Sequence, residues 1–302
     1  MRSSLPYRFE TVVLALISGA VAAVASAQPN PATGVVLDGE TPLDPRSFAR
    51  PVAIAASTLG RLYVADLGRG VVVQIDSIGQ VAFEFESPPR VPSLQPLDIE
   101  VTGFQVYVLD AQSNAVLRYS EHGAFLDVLQ SFADSGVETP RALAVDRTGR
   151  MLLAQTARHQ VRLVDANQRI ETTIGGFGTR AGEFVHPAGV AFASDGSFFI
   201  SDPGARRVQR FTPVGNFASA CTDSLEEPRA LAVLSSGELV VTDSRRRAVL
   251  LLGAGGLPRD ELRLGDREPL DLTVVGDSGW VLVSKPEAVI RLRIVRDGAK
   301  KE

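Results

Sequence analysis

The sequence predicts an all-β fold, a six-bladed β-propeller, and three observations carry that prediction. Apolar residues come in short runs bounded by Gly, Asp and Pro, the pattern of strands joined by turns rather than of helices. One phrase then recurs six times. Aligned on a proline that precedes its first apolar run, it falls at Pro51, Pro96, Pro140, Pro187, Pro228 and Pro269, with spacings of 45, 44, 47, 41 and 41 residues. Finally, the inner register of the phrase holds. The second run ends at Asp66, Asp110, Gln155, Asp202, Asp243 and Ser284, and six residues later a β-branched residue opens the third run: Val72, Val116, Val161, Val208, Val249 and Ile290. A period of about 40–50 residues fits one four-stranded blade per repeat. A lone blade cannot bury both faces of its sheet, whereas six around an axis bury each face against a neighbour and leave few open edges.

Taken in order, residues 1–27 read as a secretory signal peptide. Arg2 and Arg8 precede an apolar run over residues 11–25, and Ala25-Ser26-Ala27 is an A-x-A cleavage site. That apolar core is short for a membrane span, and an uncleaved anchor is the alternative. No other segment is expected to span a membrane, which places the mature chain in the periplasm or outside the cell. Residues 28–44 begin loosely but contain a short strand over residues 35–37. Residues 45–295 hold the six repeats, and 296–302 form a charged tail. The fourth repeat is the clearest, with strands over 189–192, 197–201, 208–211 and 217–221. The sixth supplies strands over 270–275, 280–284 and 289–295 but no outer fourth one. The strand at 35–37 is therefore expected to complete the last blade and close the ring.

The fourth repeat reads Gly178-x3-Gly182-x-Phe184-x2-Pro187-x-Gly189-Val190-Ala191, then Gly196, Ile200-Ser201-Asp202 and Arg207-Val208-x2-Phe211. In these residues the chain resembles the NHL-repeat β-propellers, over about residues 45 to 295. The fifth copy matches in part (228–233 and 241–243), and the third and sixth depart where the family has Asp. The resemblance implies the fold and, more weakly, a function, because the family is mostly a binding scaffold with a few enzymatic members.

Composition narrows the possibilities further. The chain carries a net charge of −4, and loss of Arg2, Arg8 and Glu10 with the leader leaves 29 basic and 34 acidic residues. Its single cysteine, Cys221, cannot form an internal disulfide, so the fold must rest on its core. Cys221 itself reads as a small buried hydrophobe. There is no serine elbow, Walker loop or CxxC pair. The glycine-rich stretch at residues 175–182 lies between strands, not before the helix N-terminus that a phosphate cradle needs.

Asp66, Asp110, Asp202 and Asp243 each precede a turn and are expected to lock it by accepting backbone N–H bonds. The loop that follows varies between copies and is rich in arginine. Arg69, Arg158, Arg206, Arg207, Arg245, Arg246 and Arg247 are expected on one face, together with arginines of the segments leading into the first strands. Arginine favours flat, bidentate contact with carboxylate or phosphate. The face is therefore expected to bind a protein or an anionic envelope component. The competing reading is a solvated face, because Arg before the third strand is common in the resembling family and Glu138, Glu183, Glu226, Glu227, Glu268 and Glu287 lie on the same side. Nucleic acid is not expected, since no interleaved aromatic platform is present.

An enzymatic alternative remains. The resembling amidating lyases use a histidine-rich zinc set, but His122, His159 and His186 do not fall at equivalent repeat positions. A lactonase-like calcium site would need oxygen ligands converging from several blades. Only Asp98 and Asp271, each two residues after the repeat proline, are in register, with Glu100 following. The matching positions elsewhere are Ala53, Ala142, Gly189 and Ala230. The reading that follows is a non-catalytic binding or scaffold module with no required cofactor. A metal-dependent hydrolase or lactonase at Asp98 and Asp271, using calcium, is the alternative.

Overall fold

The computed structural model describes residues 33–89, 91, 93–131, 140–221 and 225–296. The leader at 1–27 lies outside them, as do residues 28–32 and most of the charged tail, 297–302. Six antiparallel four-stranded sheets make up the fold. Blades 1 to 5 occupy residues 51–84, 96–131, 142–175, 190–221 and 228–263 in simple meander order. Blade 6, residues 268–296, has three strands of its own and takes its fourth from Thr33–Pro42. That strand pairs antiparallel with Ala288–Arg296, from Thr33 opposite Arg296 to Pro42 opposite Ala288. It is longer than the three residues expected from the sequence and carries a bulge between Leu37 and Gly39. Arg296, assigned to the tail, ends a strand instead.

Within each blade the strands are graded by burial. The second strands, such as Phe198–Asp202 and Leu239–Asp243, are buried along their whole length. They read as continuous apolar runs because both faces meet a neighbouring blade. Outer strands such as Phe217–Cys221 and Pro258–Arg263 are mostly exposed and correspondingly polar or small. Cys221 is half-buried there, not fully buried, and its sulfur lies 2.6 Å from the Gly256 carbonyl oxygen.

The core is six separate layers, one at each junction between blades. Between blades 1 and 2, Tyr63, Val72 and Phe85 meet Ile99, Val108, Leu117 and Tyr119. Between blades 6 and 1, Leu282 and Val289 meet Ile54, Val64 and Val73. The last contact closes the ring. Val35, from the N-terminal strand, is 4% exposed and sits in the layer between blades 5 and 6.

The four repeated aspartates hold each blade's loop end together. All four are fully buried. Asp66 accepts the N–H groups of Gly68 and Arg69 in its own turn, and those of Ala49 and Arg50 in the segment leading into the blade. Asp110 accepts from Gln95 and Ser113, Asp202 from Val185 and His186, and Asp243 from Glu226, Glu227 and Arg246. Asp66, Asp110 and Asp243 thus tie the segment leading into the first strand to the turn after the second, while Asp202 holds the lead-in segment alone. The turn itself places the fourth residue after this position in the left-handed region in five blades: Gly70, Asn114, His159, Arg206 and Arg247.

Candidate functional site

The first strands surround the axis, and their opening residues line a cavity of about 350 Å³. Four of these strands, in blades 1, 2, 5 and 6, begin with a register shift just after the repeat proline, for example between Pro96 and Asp98 and between Pro269 and Asp271. Such a bulge re-aims the side chains beside it. The residue one beyond the proline includes exposed Arg141 in blade 3 and exposed Arg229 in blade 5. The next position supplies Ala53, Asp98, Ala142, Gly189, Ala230 and Asp271. Gly189 is required there. A Cβ would sit 2.2 Å from the Arg229 carbonyl oxygen of the next blade. Glu100 and Thr273 lie deeper.

Asp98 and Asp271 bridge neighbouring blades. Oδ2 of Asp98 accepts the Leu143 N–H of blade 3 at 2.7 Å, and Oδ1 accepts the N–H of Ile99. Oδ2 of Asp271 accepts the Ile54 N–H of blade 1 at 2.8 Å, and Oδ1 that of Leu272. These are open edge N–H groups of first strands, which face the axis and have no further strand to pair with. Glu100 bonds only the N–H of Val101 among the described residues.

These carboxyls are half-buried on the cavity wall, and the surrounding protein disfavours their charge. Burial pushes Asp271 up from its ordinary 3.8 to about 7, against the opposing pull of its two backbone hydrogen bonds. Burial, helped by the Asp271 charge, pushes Glu100 from 4.5 to about 8. Asp98 is raised well above its ordinary value, first by burial and then by repulsion from Asp271. Neutral or shared-proton carboxyls around neutral pH follow from this arrangement.

Asp98, Glu100 and Asp271 are the carboxyl groups that the cavity wall offers a calcium ion. Each oxygen of Asp98 and Asp271 accepts one backbone N–H, and the matching positions of the other four blades, Ala53, Ala142, Gly189 and Ala230, bring no side-chain oxygen. No group of three or more His, Cys, Asp or Glu side chains is arranged to hold a metal among the described residues. Calcium asks for six to eight oxygens. The histidines also do not converge on the axis. His159 and His186 lie with ring centroids 5.9 Å apart at the junction of blades 3 and 4, and His122 sits in a turn on the opposite face.

The arginines of the loop face divide into three groups. Arg207 departs from the surface role expected of it. It is 7% exposed, and its guanidinium donates to the carbonyls of Thr179, Arg180 and Glu183, closing the long connection before blade 4. Several others are paired. Arg69 binds Glu84 and the Ser47 carbonyl, Arg246 lies against Glu226 and Glu261, and Arg247 against Asp266. The third group is exposed: Arg50, Arg158, Arg206 and Arg245. Arg50 and Arg206 form no ion pair among the described residues, and Arg245 only a loose one, 3.9 Å from Glu227. Sequence reasoning could not separate these groups, because a buried and an exposed Arg sit side by side at 206 and 207.

No family model matches the chain. A 79-residue stretch, 26% of this chain, is 33% identical to the NHL-repeat-containing protein 4 of Mus musculus. The match spans 58% of that protein's length. The fold resembles a catalytically inactive variant of virginiamycin B lyase from Staphylococcus aureus solved with quinupristin, with a TM-score of 0.64 at 14% identity, covering 86% of this chain and 100% of that one. A streptogramin B lyase gives 0.65 at 16% identity over 86% and 98% of the two chains. A chain of a nidogen/laminin complex gives 0.57 at 17% identity over 70% and 80%. The chain is a six-bladed β-propeller with one stretch similar to an NHL-repeat protein. At these identities the solved structures speak for the fold alone. The repeat match and the six-sheet ring together place the NHL-type resemblance on a three-dimensional footing.

Proposed function

We propose that this NHL-type propeller is an exported, non-catalytic binding module that holds an acidic segment of a partner protein on its loop face. The observation that carries this reading is the charge imbalance on that face. Arg50, Arg206 and Arg245 are exposed there with little or no neutralisation, Arg50 on backbone bonded to Asp66, Arg206 in the turn closed on the Pro203 carbonyl and Arg245 beside the Arg246 N–H held by Asp243. Fixed guanidinium groups meet carboxylates in flat, bidentate pairs at a small ordering cost. The nidogen/laminin neighbour supports the idea that such a ring can serve in a protein complex. The lyase reading has less support, because the two neighbouring histidines lie away from the axial cavity.

The test uses the mature protein and a glutamate-rich peptide as probe, measured by calorimetry at low and high salt. A variant carrying Arg50→Glu, Arg206→Glu and Arg245→Glu is expected to bind at least about tenfold more weakly, and wild-type binding to weaken with salt. Arg207 is left intact because its buried guanidinium holds the carbonyls of Thr179, Arg180 and Glu183. Equal affinity of wild type and variant, with equal melting temperatures, would overturn the reading.

A further inference from the structure

The axial cavity plays no part in that loop-face reading, and its wall is polarised. Asp98, Glu100 and Asp271 come from blades 2 and 6, which flank blade 1. Arg141 and Arg229 come from blades 3 and 5, which flank blade 4. In a ring of six, blade 1 stands opposite blade 4, so the acidic and basic walls oppose each other across the axis. Blades 1 and 4 contribute small side chains between them, with Ala53 on one side and Gly189 on the other. Neither guanidinium forms an ion pair with the three carboxyls among the described residues, so no contact neutralises one wall with the other. Arg229 pairs outward with Glu227, and Arg141 forms no ion pair among the described residues.

We propose that the cavity binds a small primary-amine zwitterion, with its ammonium on the wall of Asp98, Glu100 and Asp271 and its carboxylate toward Arg141 and Arg229. The donor arithmetic fits. An ammonium offers three N–H donors, and a carboxylate offers about four lone-pair positions. Asp98 and Asp271 each use two on backbone N–H groups and Glu100 uses one, which leaves lone pairs over on three side chains that line the cavity. A volume of about 350 Å³ is that of a small-molecule site. The charge order also excludes simpler ligands. A plain cation leaves Arg141 and Arg229 unmatched and a plain anion gains nothing from the carboxyl wall, whereas a zwitterion engages both, its ammonium favouring the ionised form of the carboxyls it meets.

Calorimetry on the mature chain tests this with glycine, 3-aminopropanoate, 4-aminobutanoate and 6-aminohexanoate, and with propylamine and propanoate as single-charge probes. One length in the series is expected to bind at least about tenfold more tightly than either single-charge probe. Arg141→Gln with Arg229→Gln, both exposed positions, is expected to weaken it about tenfold with melting unchanged, and Asp98→Asn with Asp271→Asn to abolish it. No binding by any amino acid, equal binding by propylamine or propanoate, or binding unaffected by the Arg141/Arg229 change would each overturn the proposal. The Arg50/Arg206/Arg245 variant should bind the zwitterion normally, so failure at the loop face and failure at the axis are separate results.

Discussion

Replacing Asp271 by Asn should flatten the pH dependence of stability between pH 5 and 8. In the folded protein burial raises this carboxyl from 3.8 to about 7. Between those values the folded state keeps a proton that the unfolded chain has released. The stabilisation belonging to the protonated form is fully present below about pH 4 and is lost as pH rises through about 7. A displacement of about 3 units at about 1.4 kcal/mol each sets an upper value of about 4 kcal/mol, of which about 2–3 kcal/mol falls between pH 5 and pH 8. For a chain of this size that corresponds to about 5–10 °C in melting temperature. Asn offers one acceptor where Asp offers two, so the N–H of Ile54 or of Leu272 loses its partner and stability drops at every pH. The readout is therefore the slope, not the level. Removing the Asp271 charge also relieves Asp98, which flattens the profile further. Ion-paired surface carboxyls such as Asp146, which is held below its ordinary value, lose stability as pH falls and act in the opposite sense, but they are common to both proteins and cancel in the comparison. Urea unfolding at pH 5 and pH 8 supplies the slopes. Parallel profiles for wild type and variant would show that the axial wall is not a low-dielectric site, and the reasoning would fall.

Three more outcomes follow from the same geometry. Gly189→Ala places a methyl 2.2 Å from a carbonyl of the next blade and should cost about 1–3 kcal/mol in chemical denaturation, whereas the same change at open Gly103 of blade 2 is strained only by its backbone angle. Asp66→Ala removes the acceptor of four backbone N–H groups and should lower stability by at least about 3 kcal/mol, with protease cleavage appearing first near residues 49–69. Deleting residues 28–42 strips blade 6 of its outer strand and exposes an open edge. Melting temperature should fall sharply and aggregation rise, and an unchanged melting curve would refute strand closure.

What the sequence alone determined is the ring. Spacing and register of the prolines and aspartates state the blade period, and alternation of apolar runs with turns states the meander, because both are local patterns that repeat. The missing fourth strand of the last repeat even located its replacement near Val35, since a blade left with an open edge demands a partner. The buried role of the aspartates was half visible. Acceptance from the following turn is a local contact, but bonds from Asp66 back to Ala49 and Asp202 back to Val185 exist only once the first strand is folded beside the second. The arginines were legible as a face and not as individuals, because exposure at 206 and burial at 207 depend on whether a carbonyl cluster from residues 179–183 closes over the side chain. The axial site was visible only as two aspartates in register. Their opposition to Arg141 and Arg229 is a relation between blades that are far apart in the chain, and only closure of the ring brings them round one cavity.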